Sequence, residues 1–433
     1  MPRKLEETAK KNSNDFTRNC KLPLPKLITF ILSIVASGKG KGVDCKSTEF
    51  FRNAKRSGLW PSASAVHRSS VTKARKKLDW NIFQDIFLKA VVLAYELWPK
   101  NDPNSLWHGM SVFAVDGSKY DLPATKEIRE EFDPKSGLMH KGRGHFPQCL
   151  VSTVYDVFRR IPIARSIAPM GSSEREEFKG LLPQIPAHSL LLFDRGYPSY
   201  NLISLLLEEF IGFFIFRCPA TSTFPAVEAF VKSGKAEQII QIIPGDMVIR
   251  KTPCEQRKKL KALKIRAIRL VSPEGVVSVL LTNLYNPQKF CTKDIIWLYF
   301  RRWEIEGYYR DEKSTFEIET FHCKTPNGIR QELFAVMIMA VITRTMMSLS
   351  SDSSKERDGQ PQFKNAMCVM ASEAVVLVPD DPDKAVEIFN NILKEIALKR
   401  FYKSKKPRPP APRVNKKPSN KWADSRKNKV KKA

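Results

Sequence analysis

Two aspartates stand at the ends of short apolar runs, where a carboxylate is suited to binding a cation. Val112–Val115 leads directly into Asp116-Gly117-Ser118, and Leu190–Phe193 leads into Asp194-Arg195-Gly196-Tyr197. Burying a carboxylate is costly unless a cation compensates its charge, and a divalent metal is the strongest compensation available. The alternative is that each aspartate only opens a turn, which is the usual meaning of Asp-Gly.

A third carboxylate lies in residues 297–313, a segment of helical pattern. On a helix that advances about 100° per residue, Arg302, Glu306 and Lys313 share with Tyr299 a stripe about 60° wide and about 21 Å long. An acid with an arginine one turn before it and a lysine two turns after it can hold a metal while the cations bind phosphodiester oxygens. The alternative is an amphipathic surface helix, although the spacing is not the usual Glu-before-Lys pattern.

The strands that would position these acids are predicted from apolar runs of strand length, which are bounded by Gly, Pro and Asp. They are Val112–Val115, Cys149–Tyr155, Ile161–Ile167, Leu190–Phe193 and Phe213–Phe216. Residues 173–183 and 199–210 have helical spacing. This order predicts an α/β fold with a mixed sheet.

The rest of the chain divides into further segments. We predict a helical, basic N-terminal region at 1–105, a core in two parts at 106–219 and 288–350, a β-rich insertion at 220–287, C-terminal helices at 351–398 and a basic flexible tail at 399–433. Within the insertion the pattern predicts strands at Gln238–Ile243, Met247–Arg250, Ile265–Leu270 and Val276–Leu281. The tail carries fifteen Lys and Arg residues and one acid, so we expect it to extend along an anionic surface.

The charge of the chain indicates a polyanionic partner. Its 73 Lys and Arg exceed its 45 Asp and Glu, giving +28, and nucleic acid is the first candidate, ahead of an acidic membrane surface. Arg68, Lys73 and Arg75 lie between apolar residues of helical spacing, so region 1–105 is a candidate DNA-binding region. The alternative is the solvated face of a packing helix.

Several classes of protein are excluded by the sequence. The first residues lack the apolar stretch of a signal peptide, and Leu27–Ala36 and Ala335–Ile342 are too short to span a bilayer. The eight cysteines include no C-x-x-C pair, which argues against a zinc knot. We therefore expect a cytoplasmic protein that does not use a membrane.

The spacing Tyr299-x2-Arg302-x3-Glu306-x6-Lys313 resembles the Y-(2)-R-(3)-E-(6)-K signature of bacterial insertion-sequence transposases of the DDE type, in the fourth insertion-sequence family. The blocks around Asp116 and Asp194 resemble the other two motifs of that family, in the same order. The resemblance covers about residues 105–350. Four residue types at fixed spacing, together with two ordered blocks, make it a specific match.

The resemblance implies an RNase H-like core, with the first Asp on the first strand, the second just after the fourth strand and the Glu on a late helix. It also implies a β-strand insertion between Asp194 and Glu306. Tyr299, Arg302 and Lys313 would contact phosphates near the element end, and Trp303 would stack on a displaced base.

The activity implied by the resemblance is Mg²⁺-dependent cleavage and joining of DNA at the ends of the protein's own element, by a cut-and-paste route. Asp116, Asp194 and Glu306 would hold two Mg²⁺ ions, for which Mn²⁺ could substitute. The partners would be double-stranded DNA, as terminal inverted repeats and as target, and a second copy of the chain in a homodimeric synaptic complex. The protein would then be nucleoid-associated in a bacterium. An RNase H-like nuclease and a catalytically decayed DNA-binding regulator are the alternatives.

Overall fold

The structure is a computed structural model. It describes residues 8–17, 21–36, 42–100, 102, 104–134, 146–258, 260–352 and 359–401. The basic tail predicted at 399–433 lies outside these ranges except for its first three residues.

An eight-stranded mixed sheet forms the centre of the molecule. Its strands are β1 (Val112–Asp121), β2 (Gln148–Asp156), β3 (Ile161–Pro169), β4 (Leu190–Phe193), β5 (Phe213–Pro219), β6 (Glu237–Ile242), β7 (Leu263–Val271) and β8 (Val277–Thr282). The order is β3-β2-β1-β4-β5-β8-β7-β6. β1 pairs antiparallel with β2 and parallel with β4, and β4 pairs parallel with β5. This topology confirms the predicted α/β fold with an RNase H-like core.

Helices surround the sheet. They are α1 (Leu24–Ala36), α2 (Val43–Arg56), α3 (Arg68–Lys77), α4 (Asn81–Leu97), α5 (Lys126–Phe132), α6 (Glu174–Leu181), α7 (Tyr200–Glu209), α8 (Pro225–Lys232), α9 (Asp246–Lys251), α10 (Cys254–Arg257), α11 (Thr292–Phe300), α12 (Trp303–Ser314), α13 (Pro326–Asp352), α14 (Phe363–Ser372) and α15 (Pro382–Leu398). A short pair, β9 (Gln360–Pro361) and β10 (Arg400–Phe401), lies apart from the main sheet. All four residues of β4 are buried, which explains why this strand is a continuous apolar run rather than an alternating one.

The long helix α13 connects the N-terminal helices to the sheet. It packs against α1, α4, α14, α15 and β3. Its segment Pro326–Ser350 is long and apolar enough to cross a membrane by length and composition, so the helix is longer than the apolar run Ala335–Ile342 that the sequence analysis singled out. Because 78% of its most apolar window is buried inside the protein, this segment serves as the core helix of the fold.

The predicted insertion extends the central sheet. β8 pairs with β5, β7 with β8, and β6 with β7, all antiparallel. The strand predicted at Met247–Arg250 is wrong, because these residues lie in α9. Asp246 in its first turn and Arg250 and Lys251 in its last turn complement the helix dipole, and none of its residues is buried as an internal strand would be.

Candidate acidic site at the strand ends

Asp116 and Asp194 are brought side by side by two neighbouring parallel strands. Val115 on β1 is in register with Phe193 on β4, so the two aspartates follow paired residues on strands about 5 Å apart. Asp116 lies within β1 and pairs with Thr153 of β2, so Asp116-Gly117 opens no turn. Asp194 does begin a turn, since its Oδ1 accepts a hydrogen bond from the Gly196 N–H at 2.7 Å.

The segment predicted as a single helix over 297–313 consists of two helices, α11 and α12, separated at Arg301 and Arg302. Each helix is fixed to one of the strand ends by a tyrosine. The Tyr299 hydroxyl on α11 donates to the Phe193 carbonyl at 3.3 Å, and the Tyr309 hydroxyl on α12 donates to the Asp116 carbonyl at 2.7 Å. These two bonds place Glu306, near the start of α12, at the edge of the sheet that carries both aspartates.

Arg302 links the first aspartate to the glutamate. Its Nη2 lies 2.8 Å from Glu306 Oε1, and its Nη1 lies 3.6 Å from Asp116 Oδ2. The residue is only 5% exposed, which strengthens both interactions. One guanidinium therefore bridges two carboxylates that are 190 positions apart in the sequence, and both are within reach of a single cation.

The electrostatics of the site disfavour an unaccompanied negative charge. Burial raises the pKa of Asp116 to about 7, although the Arg302 charge opposes this shift. The charges of Asp194 and Glu174 raise the pKa of Asp116 further, and the Gly117 N–H lowers it. A carboxyl with this pKa is destabilised as an anion, so a cation at the site would be bound favourably.

The donor set is suited to a hard divalent cation. Asp116, Asp194 and Glu306 offer only oxygen donors, which Mg²⁺ and Mn²⁺ prefer. Two polar atoms beside them, the Tyr197 hydroxyl and Arg302 Nε, are buried without a hydrogen-bond partner in the structure, as expected where a further ligand belongs. As they stand, no three His, Cys, Asp or Glu side chains in the described ranges are grouped tightly enough to hold a metal, and the Arg302 guanidinium lies between Asp116 and Glu306.

The helix residues predicted to bind DNA have different environments. Trp303 is 41% exposed beside Arg302, whose guanidinium lies 5.1 Å from the ring centre. Lys313 is partly exposed, but its Nζ donates to the Lys119 carbonyl at 2.5 Å, near the end of β1. Tyr299 is 2% exposed, so the phosphate contact predicted for it is corrected: its hydroxyl is engaged with Phe193 in the interior.

The basic residues of α3 that were predicted to contact DNA also differ in their exposure. Arg68 and Lys73 are exposed on α3 and stay candidates for DNA contact, although Arg68 lies 3.7 Å from Asp44. The DNA contact predicted for Arg75 is wrong, because its guanidinium is buried and forms an ion pair with Glu332 at 2.8 Å. One of the three predicted cations thus belongs to the face of α3 that packs against α13.

Sequence reasoning missed a fourth acid at this edge of the sheet. Glu174 is the first residue of α6, and its carboxylate lies against Gly117 of β1. It also missed the buried pair of Arg165 on β3 with Glu312 on α12, 2.7 Å apart. A glycine directly after Asp116 was a usable signal, because it implies that another group approaches the backbone closely there.

Comparison with known proteins relates the chain to transposases. Residues 107–342 match the family described as "Transposase DDE domain". The transposase InsG for insertion sequence element IS4 of Escherichia coli (strain K12) is 28% identical over 291 residues, covering 65% of this chain and 61% of that protein. The putative transposase InsZ of the same strain is 28% identical over 143 residues, covering 33% of this chain and 46% of that protein.

The chain therefore spans less than two thirds of the length of either relative. Among solved structures, a piggyBac transposase synaptic complex with hairpin DNA matches with a TM-score of 0.43 and 10% identity, covering 90% of this chain and 80% of that chain. That likeness is too distant to carry an argument about function.

Proposed function

The chain belongs to the transposase DDE-domain family, and from this premise we propose that it catalyses metal-dependent DNA cleavage and strand transfer at the ends of its own insertion sequence, by a cut-and-paste route. One observation carries the proposal. Asp116 and Asp194 end paired stretches of two parallel strands, and the Arg302 guanidinium connects Asp116 to Glu306 on the adjoining helix. Glu306 lies in the segment that resembles the family signature, and Asp116 and Asp194 lie in the two blocks that resemble the other motifs of the family.

Asp116, Asp194 and Glu306 would hold the cations, Mg²⁺ or in its place Mn²⁺. When bound, two such ions would supply Lewis-acid activation of the attacking and leaving oxygens of a phosphodiester. The side chains themselves keep the site negative enough to attract these ions. Burial raises the pKa of Asp116 even with Arg302 beside it, so a further cation would stabilise its carboxylate.

Arg302 would also bind a DNA phosphate at this site. Its planar guanidinium suits two oxygens of one phosphate, and it remains in place because its backbone joins α11 to α12. Trp303 is exposed beside it and would stack on a base, and Lys313 would contact the backbone further along. Tyr299 and Tyr309 would orient this group by holding both helices to the strand ends.

The partners follow from the charge and the reaction. We propose double-stranded DNA as both terminal inverted repeat and target, with Arg68 and Lys73 adding contacts from α3. A homodimer would hold two ends together in the synaptic complex, and the protein would work in the bacterial cytoplasm on the nucleoid. Neutralising phosphates with lysine and arginine releases counterions, so binding should weaken steeply with salt.

A cleavage assay with a matched pair of variants tests the proposal. The substrate is a duplex carrying the inverted repeat that flanks the gene, with Mg²⁺. Glu306→Gln should lose cleavage and retain end binding, because it removes one cation ligand and leaves the surface charge nearly unchanged. The control is Glu304→Gln on the same helix, whose carboxylate pairs with Arg160 at 3.2 Å and should not be required. Cleavage by Glu306→Gln at the wild-type rate would refute the assignment.

Strand transfer separates a transposase from a nuclease of the same fold. Pre-cut ends, supercoiled target plasmid and Mg²⁺ should give joined products with the wild-type protein. Hydrolysis without any joined product would instead favour the nuclease, and end binding without either reaction would favour the decayed regulator.

A further inference from the structure

The first turn of α6 approaches the acidic site more closely than packing requires. A Cβ atom built on Gly117 would lie 2.5 Å from Glu174 Cδ and 2.7 Å from its Oε1. The carboxylate of Glu174 therefore lies directly against the backbone of β1, one residue after Asp116. A side chain at position 117 would displace the Glu174 carboxylate from this place.

The position of α6 relative to the Asp194 turn is fixed by its next residue. Arg175 donates from Nε and Nη2 to the Gly196 carbonyl, at 2.9 and 2.6 Å. The Arg175 guanidinium therefore holds the turn, and neutralising Glu174 is not its only role. Burial, followed by the charge of Asp194, raises the pKa of Glu174, which shows that the two carboxylates act on each other.

A buried hydroxyl faces these carboxylates without a hydrogen-bond partner. Tyr197, at the end of the Asp194 turn, is fully buried; its hydroxyl lies close enough to Glu174 to lower the pKa of that carboxyl but forms no hydrogen bond of good geometry. Burial raises its pKa well above 10, and the charge of Glu174, followed by that of Asp116, raises it further. An unpaired buried donor costs about 1–3 kcal/mol, so an acceptor such as an ordered water on a bound ion is expected beside it.

We propose that Glu174 is a fourth carboxylate of the cation site, contributed by α6, and that it binds a divalent cation together with Asp116 and Asp194. This inference rests on the proposed function, since it adds a ligand to the same site. Two observations support it: the contact of Glu174 with the backbone beside Asp116, and the buried Tyr197 hydroxyl beside Glu174, which forms no hydrogen bond of good geometry.

The competing explanation is that Glu174 only stabilises the helix. An acid in the first turn interacts favourably with the helix dipole, and Glu176 and Glu177 occupy the same turn. Glu176 offers a matched control, because its carboxylate is exposed and pairs with Lys179 at 2.9 Å. A dipole role predicts similar effects for Glu174→Gln and Glu176→Gln, whereas a cation role predicts an effect on binding for Glu174→Gln alone.

The test measures Mn²⁺ bound to the full chain by electron paramagnetic resonance, without DNA or turnover. Glu174→Gln keeps the size of the side chain and should weaken Mn²⁺ binding about 10- to 100-fold. Glu176→Gln should bind Mn²⁺ like the wild type, and Asp116→Asn should bind it weakly. Circular dichroism melts establish that each variant is folded.

A second measurement uses only the wild-type protein. Fe²⁺ with ascorbate and peroxide cuts a polypeptide next to the bound ion, and cuts are expected near residues 116, 194 and 174. Absence of cutting near 174, while 116 and 194 are cut, would overturn the inference even if Glu174→Gln failed to fold.

The outcomes separate this inference from the proposed function. If Glu174→Gln binds Mn²⁺ as the wild type does and Asp116→Asn does not, Glu174 is no ligand and the proposed function stands. If Asp116→Asn also binds normally and no cut falls near 116 or 194, the cation site itself is misplaced and both proposals fail.

Discussion

Neutralising Glu312 should destabilise the protein more than neutralising any other acid on the same helix. Glu312 and Arg165 form a fully buried pair at 2.7 Å that joins α12 to β3. The hydroxyls of Tyr120 and Tyr308 also donate to the Glu312 carboxylate. Glu312→Gln would leave the Arg165 guanidinium buried without its counterion, while changing the side-chain volume very little.

The magnitude follows from the burial of both charges. Removing one partner of a buried ion pair costs about 3–5 kcal/mol, against a total free energy of unfolding of about 5–15 kcal/mol. Glu304 is the matched control on α12, since its pair with Arg160 is partly exposed and is worth at most about 1 kcal/mol. The double change Arg165→Met with Glu312→Gln removes both charges, keeps an acceptor for the two tyrosine hydroxyls and should recover much of the loss.

Urea unfolding followed by circular dichroism measures these differences. The reasoning would be refuted if Glu312→Gln lowered the free energy of unfolding by no more than Glu304→Gln. It would also be refuted if the double variant were less stable than Glu312→Gln, because the cost would then come from lost packing rather than from the uncompensated charge.

Three further predictions concern other parts of the structure. Arg75→Met should lower the free energy of unfolding by about 3–5 kcal/mol because it removes the guanidinium paired with buried Glu332, which then keeps only its contacts with His322. Lys73→Ala should leave stability unchanged and reduce the salt slope of DNA binding by about 1. Burial alone would raise the pKa of Glu332, but the Arg75 charge lowers it to about 2. The stability that this carboxylate supplies is therefore present above about pH 4.5 and is lost as the pH falls towards 2. Acid titration of unfolding should therefore show a loss of about 3 kcal/mol that Glu332→Gln lacks. Gly117→Ala should push the flexible Glu174 side chain aside and weaken Mn²⁺ binding as Glu174→Gln does, and Mn²⁺ binding equal to that of the wild type would contradict the close contact.

The elements of the fold were largely predictable because their signals are local. The apolar runs at 112–115 and 190–193 became parts of β1 and β4, and the helical spacing at 173–183 and 199–210 became α6 and α7. The prediction at Met247–Arg250 failed because four residues are too few to distinguish an exposed helix from a strand.

The stripe around Glu306 shows what helical spacing could not predict, namely which of its side chains face the interior. The spacing correctly indicated that Tyr299, Arg302 and Glu306 belong together. Phosphate contacts were predicted for both Tyr299 and Arg302, whereas Tyr299 faces the interior and Arg302 lies between Asp116 and Glu306. The side of a helix that faces the core is decided by the surface it packs on, which the segment itself does not specify.

The sequence by itself determined which acids are present, their order and the residue types spaced around Glu306, because side-chain chemistry and helical spacing need only neighbours along the chain. The tertiary structure alone decided which charges are buried and which partners they meet. Arg165 and Glu312 are 147 positions apart, and Arg75 and Glu332 are 257 positions apart. Such pairs form only when the sheet and α13 bring distant segments together. Burial in the low-dielectric interior then strengthens the ion pair, so these cations stabilise the fold instead of contacting a partner at the surface.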